Sequence, residues 1–317
     1  MHQSISSDDA VDNALNNSVN NSVNNSGDTD GSYVTLAYTG GRIGSQMYAY
    51  GSLYGIARRN RKRAFLETTN GFYKSLKRYW PVSLVAALPP GTIKNFKNVG
   101  EGGRAHSAHK WLLNLPKGQN VLIGGYIQAY GYFRDVQDDV RRELRSFLPV
   151  IMEPCLSNFR KLLQVPDGEM TKCAVIGVHC RRGDFTTGEK KAFGHWPADA
   201  DYIKRAMRHH RQRLANQTSA PECVRFVVYG DDATWNAKQF GNLTDVLVAP
   251  AGGDAVVDMC MLAQSNHSIM TTGTYSWMSA FLPNGHVTYQ KVFARPGSRL
   301  SHEYTLAEYF PDGWVPL

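Results

Sequence analysis

What most constrains this 317-residue chain is a series of short, nearly uninterrupted apolar runs separated by segments of helical periodicity. The plainest is Cys173-Ala-Val-Ile-Gly-Val-His179. A strand with one face in water alternates polar and apolar side chains. A run without alternation is apolar on both faces, as inside a parallel sheet covered by helices. Four more runs follow, at Val224–Tyr229, Asp245–Ala249, His267–Thr271 and His286–Gln290. Helical stretches separate them: Ala200–Leu214, Ala233–Phe240, Ala255–Gln264 and Ser276–Leu282. This alternation predicts an α/β chain with a doubly wound parallel sheet, which binds ligands outside the carboxyl ends of its strands.

The first half repeats the scheme more faintly. Tyr33–Tyr38 reads as a strand followed by Thr39-Gly40-Gly41, and Met47, Tyr50, Tyr54 and Ala57 share one helical face. Gly125–Arg134 is Gly- and Tyr-rich and reads as irregular. Asp135–Phe147 reads as a charged helix with Val136, Val140, Leu144 and Phe147 inward, and Pro149 and Pro154 mark a domain border beyond it. The expected organisation is a tail or stem over 1–32, an N-terminal domain over 33–165, and a second, ligand-binding domain over 166–317.

The tail repeats Asn-Asn-Ser-Val across Asn16–Ser26 and has nothing to bury, so it reads as disordered. Five of the 27 acids lie in residues 1–32 and none of the 35 basic residues does. The remainder therefore holds 22 acids against 35 bases, a balance of +13 that favours an anionic partner. Nucleic acid, phosphorylated small molecules and anionic membrane all fit that charge. The run Arg58-Arg59-Asn60-Arg61-Lys62-Arg63 reads as a solvated helix end. Lys204–Arg213 has the same character beside the inward face of Ile203, Met207, His210 and Leu214. No interleaved aromatic platform or zinc finger accompanies either, which makes nucleic acid a minor option.

No window approaches the ~18 apolar residues of a membrane span, and the polar start does not read as a signal peptide. Cys155, Cys173, Cys180, Cys223 and Cys260 show neither metal-type spacing nor the density of a disulfide scaffold. Asn-x-Ser/Thr sites at Asn16, Asn20, Asn24, Asn216, Asn242 and Asn266 hint at a luminal or secreted compartment, reached through an anchor this sequence does not contain.

The chemistry is expected at strand ends. His179-Cys180-Arg181-Arg182-Gly183-Asp184 puts two adjacent guanidinium forks at the end of the first buried strand of the second half. Such forks match phosphate oxygens and keep their charge. Asp184 is expected to hold one while the other faces an anion; a structural salt bridge is the plainer alternative. His267–Thr271 runs into Thr272-Gly273-Thr274-Tyr275-Ser276, which offers backbone amides and hydroxyls to a phosphate, or only an N-cap by Thr274 or Ser276. Asp258 is an acid on an otherwise apolar helix, placed to accept from a base edge or ribose, or simply exposed. Gly40-Gly41-Arg42-Ile43-Gly44-Ser45-Gln46 is a Gly-rich loop feeding a helix, without the P-loop ending. Asp231-Asp232 reads as a turn and helix cap, and Asp28 and Asp30 fall in the tail. His106, His109, His209 and His210 lack the company of a zinc site.

These segments resemble blocks of the alpha-1,2-fucosyltransferases, inverting enzymes that move L-fucose from GDP-fucose to a galactose 2-hydroxyl. Gly41–Met47 with Tyr50, Leu53, Tyr54 and Ala57 is similar to the family's first block. Val178–Phe185 matches its His-x-Arg-Arg-x-Asp motif, Phe226–Asp232 with Trp235 a third block, and Gln264–Ser276 the last. The resemblance implies a GT-B-like arrangement of two Rossmann-type domains, with GDP-fucose as co-substrate and no metal or other cofactor. By matching positions, Arg181 and Arg182 would be the catalytic pair on the donor diphosphate, with His179 and Asp184 in the same pocket. Thr274, Tyr275 and Ser276 would lie on the phosphate side, and Asp258 by guanine or ribose. Gly41, Arg42, Gly44 and Gln46 would form the donor-facing loop. It also implies a galactose-terminated glycan acceptor, received beside the loosely matched Gly125–Phe133, and a membrane-anchored enzyme in the Golgi lumen. Relatives usually carry Asn where this chain has Ser45, a departure compatible with a degenerate relative that binds without turnover. A basic polyanion-binding protein is the other rival.

Overall fold

Two sheets, parallel throughout, organise the computed structural model, which describes residues 29–37, 40–100, 103–165 and 172–317. The first sheet contains β1 (Tyr33–Leu36), β2 (Arg63–Glu67), β3 (Ala86–Leu88), β4 (Lys97–Gly100) and β5 (Val121–Gly124), in the order β3-β2-β1-β5-β4. The second contains β6 (Cys173–Cys180), β7 (Cys223–Gly230), β8 (Val246–Val248), β9 (His267–Met270), β10 (Val287–Tyr289) and β11 (Val315–Pro316), in the order β11-β10-β9-β6-β7-β8. The last six residues of β6 are all buried, the outcome its unbroken apolar run requires.

The second sheet reverses its winding once, between β6 and β9. There the chain leaves β6 and β9 in opposite directions and a crevice opens at their carboxyl ends. In the first, β5 comes back from the β4 edge to lie beside β1, and the carboxyl ends of β1 and β5 flank the corresponding crevice. Helix α1 (Ile43–Arg59) starts beside the first crevice. Helices α2 (Gln137–Arg145) and α3 (Pro149–Leu163) follow β5. In the second half, α4 (Ala200–Ala215), α5 (Ala233–Phe240) and α6 (Ala255–Ala263) cover the sheet, and α7 (Gly273–Phe281) starts at the second crevice. Val140, Leu144 and Phe147 are buried, as the α2 pattern predicts.

The halves share one continuous core. Trp277 of α7 packs its ring 4.6 Å from Tyr48 of α1 and 5.9 Å from Phe133, and its indole N–H donates to the Tyr309 carbonyl at 2.9 Å. Helix α3 precedes the expected border, yet it is tied to α6 by the Cys155–Cys260 disulfide. Cys173 and Cys223, directly paired in register on β6 and β7, form a second disulfide, and Cys180 is a buried thiol. Partners 105 and 50 residues apart leave no spacing signal in a sequence.

Two expectations need correction. Asn16, Asn20 and Asn24 lie outside the described residues, as do Tyr38 and Thr39, but the end of the supposed tail is part of the domain. Asp30 accepts from Gly118 N–H at 2.9 Å and pairs with Lys62 at 3.3 Å, and Ser32 is buried. Burial opposes ionisation of Asp30, but the Ser32 hydroxyl, two backbone amides and Lys62 outweigh it and hold the carboxyl well below its ordinary value. Lys62 is accordingly no surface cation. Its side chain is buried, with the Ser32 hydroxyl and the carbonyls of Pro116 and Gln119 completing its acceptors. Only full pairing makes such a burial tolerable.

Several histidines are also interior. Burial lowers His210 to about 2, helped by His286, His267 and His209; it lowers His106 to about 4, and burial beside Arg181 lowers His179 to about 3. Each is neutral when folded, against an ordinary value of 6.5 for the exposed group. Acid therefore favours the unfolded chain. Their contribution to stability is complete above about pH 6.5 and is lost as the pH falls through the folded values. At pH 5 each such group costs about 2 kcal/mol. Thermal melts at pH 7.5 and 5 are expected to show a steep acid loss that His210→Gln reduces; an equal loss in the variant would contradict the assignment.

Candidate functional site

The loops leaving β1 and β6 and the turn leaving β9 meet in one place. Gly44, in the first turn of α1, lies against α7 so closely that a Cβ there would fall 2.5 Å from both the Cα and the N of Tyr275. One residue on, the Ser45 hydroxyl shares a hydrogen bond with the Thr274 hydroxyl at 3.1 Å. Two helices thus bring their N-termini together. Neither has a side-chain cap or an acid in its first turn, because Arg42 and Thr272 occupy the cap positions and the Thr272 hydroxyl donates instead to the Phe293 carbonyl. The first amides of each helix have no intrahelical acceptor, and both dipoles turn their positive ends to the same spot. Such a place is electrostatically suited to an anion.

Arg181 and Arg182 follow the end of β6, the strand paired with β9, from which α7 starts. The Arg181 amide donates to the Thr271 hydroxyl at 3.0 Å, which donates to the His179 carbonyl, so β6 and β9 are locked together at the switch point. The Arg181 guanidinium bridges Asp184 and Asp231 and lies 4.6 Å over the Phe185 ring. The Arg182 guanidinium donates to the Ala198 carbonyl at 2.9 Å, faces the Trp235 ring at 4.1 Å and has Asp232 at 3.5 Å from its Nε. Asp184 holds one arginine as expected, but the second is not left unpaired. Both guanidinium groups are engaged, and Arg181 is the more tightly held. Arg42, its side chain 79% exposed, approaches Asp184 at 3.7 Å from the first domain.

Other predicted residues separate. His179 is buried, its ring 4.7 Å from Tyr275 and its Nδ1 without a hydrogen-bond partner among the described residues. Thr274 and Tyr275 lie at the helix junction; the Tyr275 hydroxyl donates to the Ala255 carbonyl at 2.6 Å. Ser276 is buried at the start of α7, where its hydroxyl accepts from the Thr271 amide at 3.0 Å. Gln46 is turned toward its own domain, bonded by the Ser75 hydroxyl at 2.7 Å and reaching the Gly41 carbonyl at 3.4 Å. Gly41 makes the loop's turn at φ +98°, a conformation that suits glycine. Asp258 is half-buried on α6 rather than exposed. Burial, then repulsion from Asp254, raises it to about 6. Asn216 and Asn242 are exposed, while the Asn266 side-chain carbonyl accepts from the Val175 amide at 2.8 Å.

Asp232 is the helix cap predicted for it, accepting from Trp235 N–H at 3.0 Å. Its neighbour Asp231 is more than a turn residue. It binds the Arg181 side chain and accepts from the Arg182 amide at 2.7 Å. Register explains this, since Cys180 pairs with Gly230 and the next residue of each strand must be neighbours. A Cβ at Gly183 would sit 2.5 Å from the Asp231 carboxylate, so glycine is what admits the acid.

The sequence profile described as Glycosyl transferase family 11 matches residues 26–316. The chain belongs to this family. Among similar proteins, mouse galactoside 2-alpha-L-fucosyltransferase Sec1 is 27% identical over 285 residues, covering 87% of this chain and 72% of its own length. Pig galactoside alpha-(1,2)-fucosyltransferase 1 is 27% identical over 291 residues, covering 88% and 74%. Among solved structures, an Arabidopsis thaliana FUT1 mutant in complex with GDP aligns with a TM-score of 0.50 at 10% identity, covering 90% of this chain and 78% of its own. At that identity the likeness bears on the fold alone. This family 11 glycosyltransferase has the GT-B-like α/β architecture its sequence predicts.

Proposed function

We propose that this family 11 glycosyltransferase moves L-fucose from GDP-fucose to the 2-hydroxyl of a terminal galactose on a glycan, with inversion and without a metal. The observation that carries the reading is the junction of two uncapped helix N-termini, at Gly44–Ser45 and Thr274–Tyr275, with the arginine pair following the end of β6. In the reaction the bond from fucose C1 to the diphosphate oxygen breaks while the galactose O2 attacks from the opposite face, and its proton is released. Negative charge gathers on departing GDP and positive charge on the sugar ring. In this reading the helix amides and the Arg182 guanidinium stabilise the first of these, as preorganised donors do where charge develops. Half-buried Asp258, across Tyr275 from the junction, would accept from guanine or ribose. Two disulfides and the exposed sequons at Asn216 and Asn242 support an oxidising, luminal compartment, the Golgi lumen by the family reading. No described helix is long and apolar enough to cross a membrane.

Engagement of both guanidinium groups by protein acceptors favours one rival, a relative that binds the nucleotide sugar without turnover. Incubation with labelled GDP-fucose and a panel of galactosides separates the two. Galactoside-dependent GDP release, with an α1→2 linkage in the product, is the expected result. GDP binding without release would favour the rival, and no GDP binding would remove both.

A further inference from the structure

We infer that the ring of Tyr126 is the platform on which the acceptor galactose stacks, an assignment that rests on the fucosyl-transfer reading. Strand β5 ends at Gly124, and Gly125 turns the chain at φ +106°, so Tyr126 emerges at the carboxyl end of β5. There β5 lies beside β1, at the middle of the first sheet. Helix α1 begins at the same crevice. Gly41 confirms the adjacency: a Cβ there would lie 3.9 Å from Tyr126 Cε1 and 2.8 Å from Ser45 Cβ, and Ser45 touches Thr274. Tyr126 therefore stands two contacts from the helix junction.

Its surroundings are unusual for so large a ring. Ile127, Gln128, Ala129 and Tyr130 are all buried, and the Gln128 amide donates to the Ala105 carbonyl at 2.8 Å and the Tyr126 carbonyl at 3.0 Å, so the backbone is pinned. Tyr126 itself is 46% exposed, more than Trp111 or Trp196. Among the described residues its side chain makes no ring contact, cation–π contact or hydrogen bond. An isolated exposed aromatic needs no explanation. One at the carboxyl end of a central strand, close to the α1–α7 junction and with a hydroxyl unbonded among the described residues, does. Galactose has an apolar face of C–H groups on one side and hydroxyls around its rim, which matches a ring that is apolar in the middle and polar at its tip.

The test compares the full chain with Tyr126→Ala, Tyr126→Phe and Tyr126→Trp, using phenyl β-galactoside as acceptor. Tyr126→Ala is expected to raise the acceptor KM roughly tenfold or more, with the GDP-fucose KM and the melting temperature unchanged, while Phe and Trp keep most of the affinity. Galactoside binding to the GDP-loaded protein, followed by saturation-transfer NMR, reads the same contact without turnover. An unchanged acceptor KM in Tyr126→Ala, a Phe variant as impaired as Ala, or no galactoside binding by the unmodified protein would overturn the assignment. Galactoside binding weakened by Tyr126→Ala, in a protein that transfers no fucose, would sustain it while removing the fucosyl-transfer reading.

Discussion

Replacing Arg182 with alanine is expected to lower fucosyl transfer by about a hundred- to a thousandfold, while the protein still folds. The estimate is the typical effect of removing one preorganised donor from a site where charge develops. Arg182 is the better of the two arginines for this role. The Arg181 guanidinium bridges two carboxylates, Asp184 and Asp231, and its removal would leave both acids facing the place where an anion must sit. Arg182 has a looser hold: one backbone carbonyl, an aromatic face, and a carboxylate at 3.5 Å from an Nε that makes no hydrogen bond among the described residues. Its surroundings orient the charge without neutralising it through a close pair. Truncation removes the charge and leaves the β6–β9 lock, which the Arg181 amide makes, in place. Initial rates with labelled GDP-fucose, beside a thermal melt, check both halves of the expectation. Near-normal transfer in the variant would remove Arg182 from the machinery.

The second large effect is expected at a residue with no side chain. Gly44→Ala would put a methyl 2.5 Å from the Cα and N of Tyr275 and 2.9 Å from the carbonyl carbon of Thr274. These are backbone atoms and cannot rotate aside. Helix α1 must instead retreat by about an ångström, breaking the Ser45–Thr274 contact and separating the two N-termini. Misplacement on that scale typically costs on the order of a hundredfold in rate, and kcat/KM for GDP-fucose is the quantity to measure. Gly124→Ala is the control, since a Cβ there meets nothing closer than 3.8 Å. Equal activity in the two variants would show that the close approach of the helices is not needed.

The parallel sheets and the switch point of the second were legible because burial on both faces leaves a mark, the unbroken apolar run. Cys173–His179 could hardly be anything else, and its place in the strand order puts Arg181 at a crevice. The loop Gly40–Gln46 was legible as a glycine turn feeding a helix for a similar local reason. What sequence did not convey is which partner each polar group takes. Asp231 pairs with Arg181 through strand register, a relation between residues 50 positions apart. Ser276 looks like a phosphate ligand in its Ser/Thr-rich run, yet its hydroxyl is consumed by the Thr271 amide five residues earlier. Lys62 looks like one of a row of surface cations, and only the fold brings Asp30, Pro116 and Gln119 around it. Local pattern reports which faces are buried; long-range pairing decides what the charges do.

The central claim is that a departing diphosphate is met by two helix N-termini and Arg182. A crystal structure with GDP bound tests it most directly. The account predicts diphosphate oxygens within about 3 Å of the Thr274 or Tyr275 amide and of the Arg182 guanidinium. GDP seated away from the α1–α7 junction, with Arg182 still turned to Ala198 and Asp232 and touching no phosphate, would contradict it.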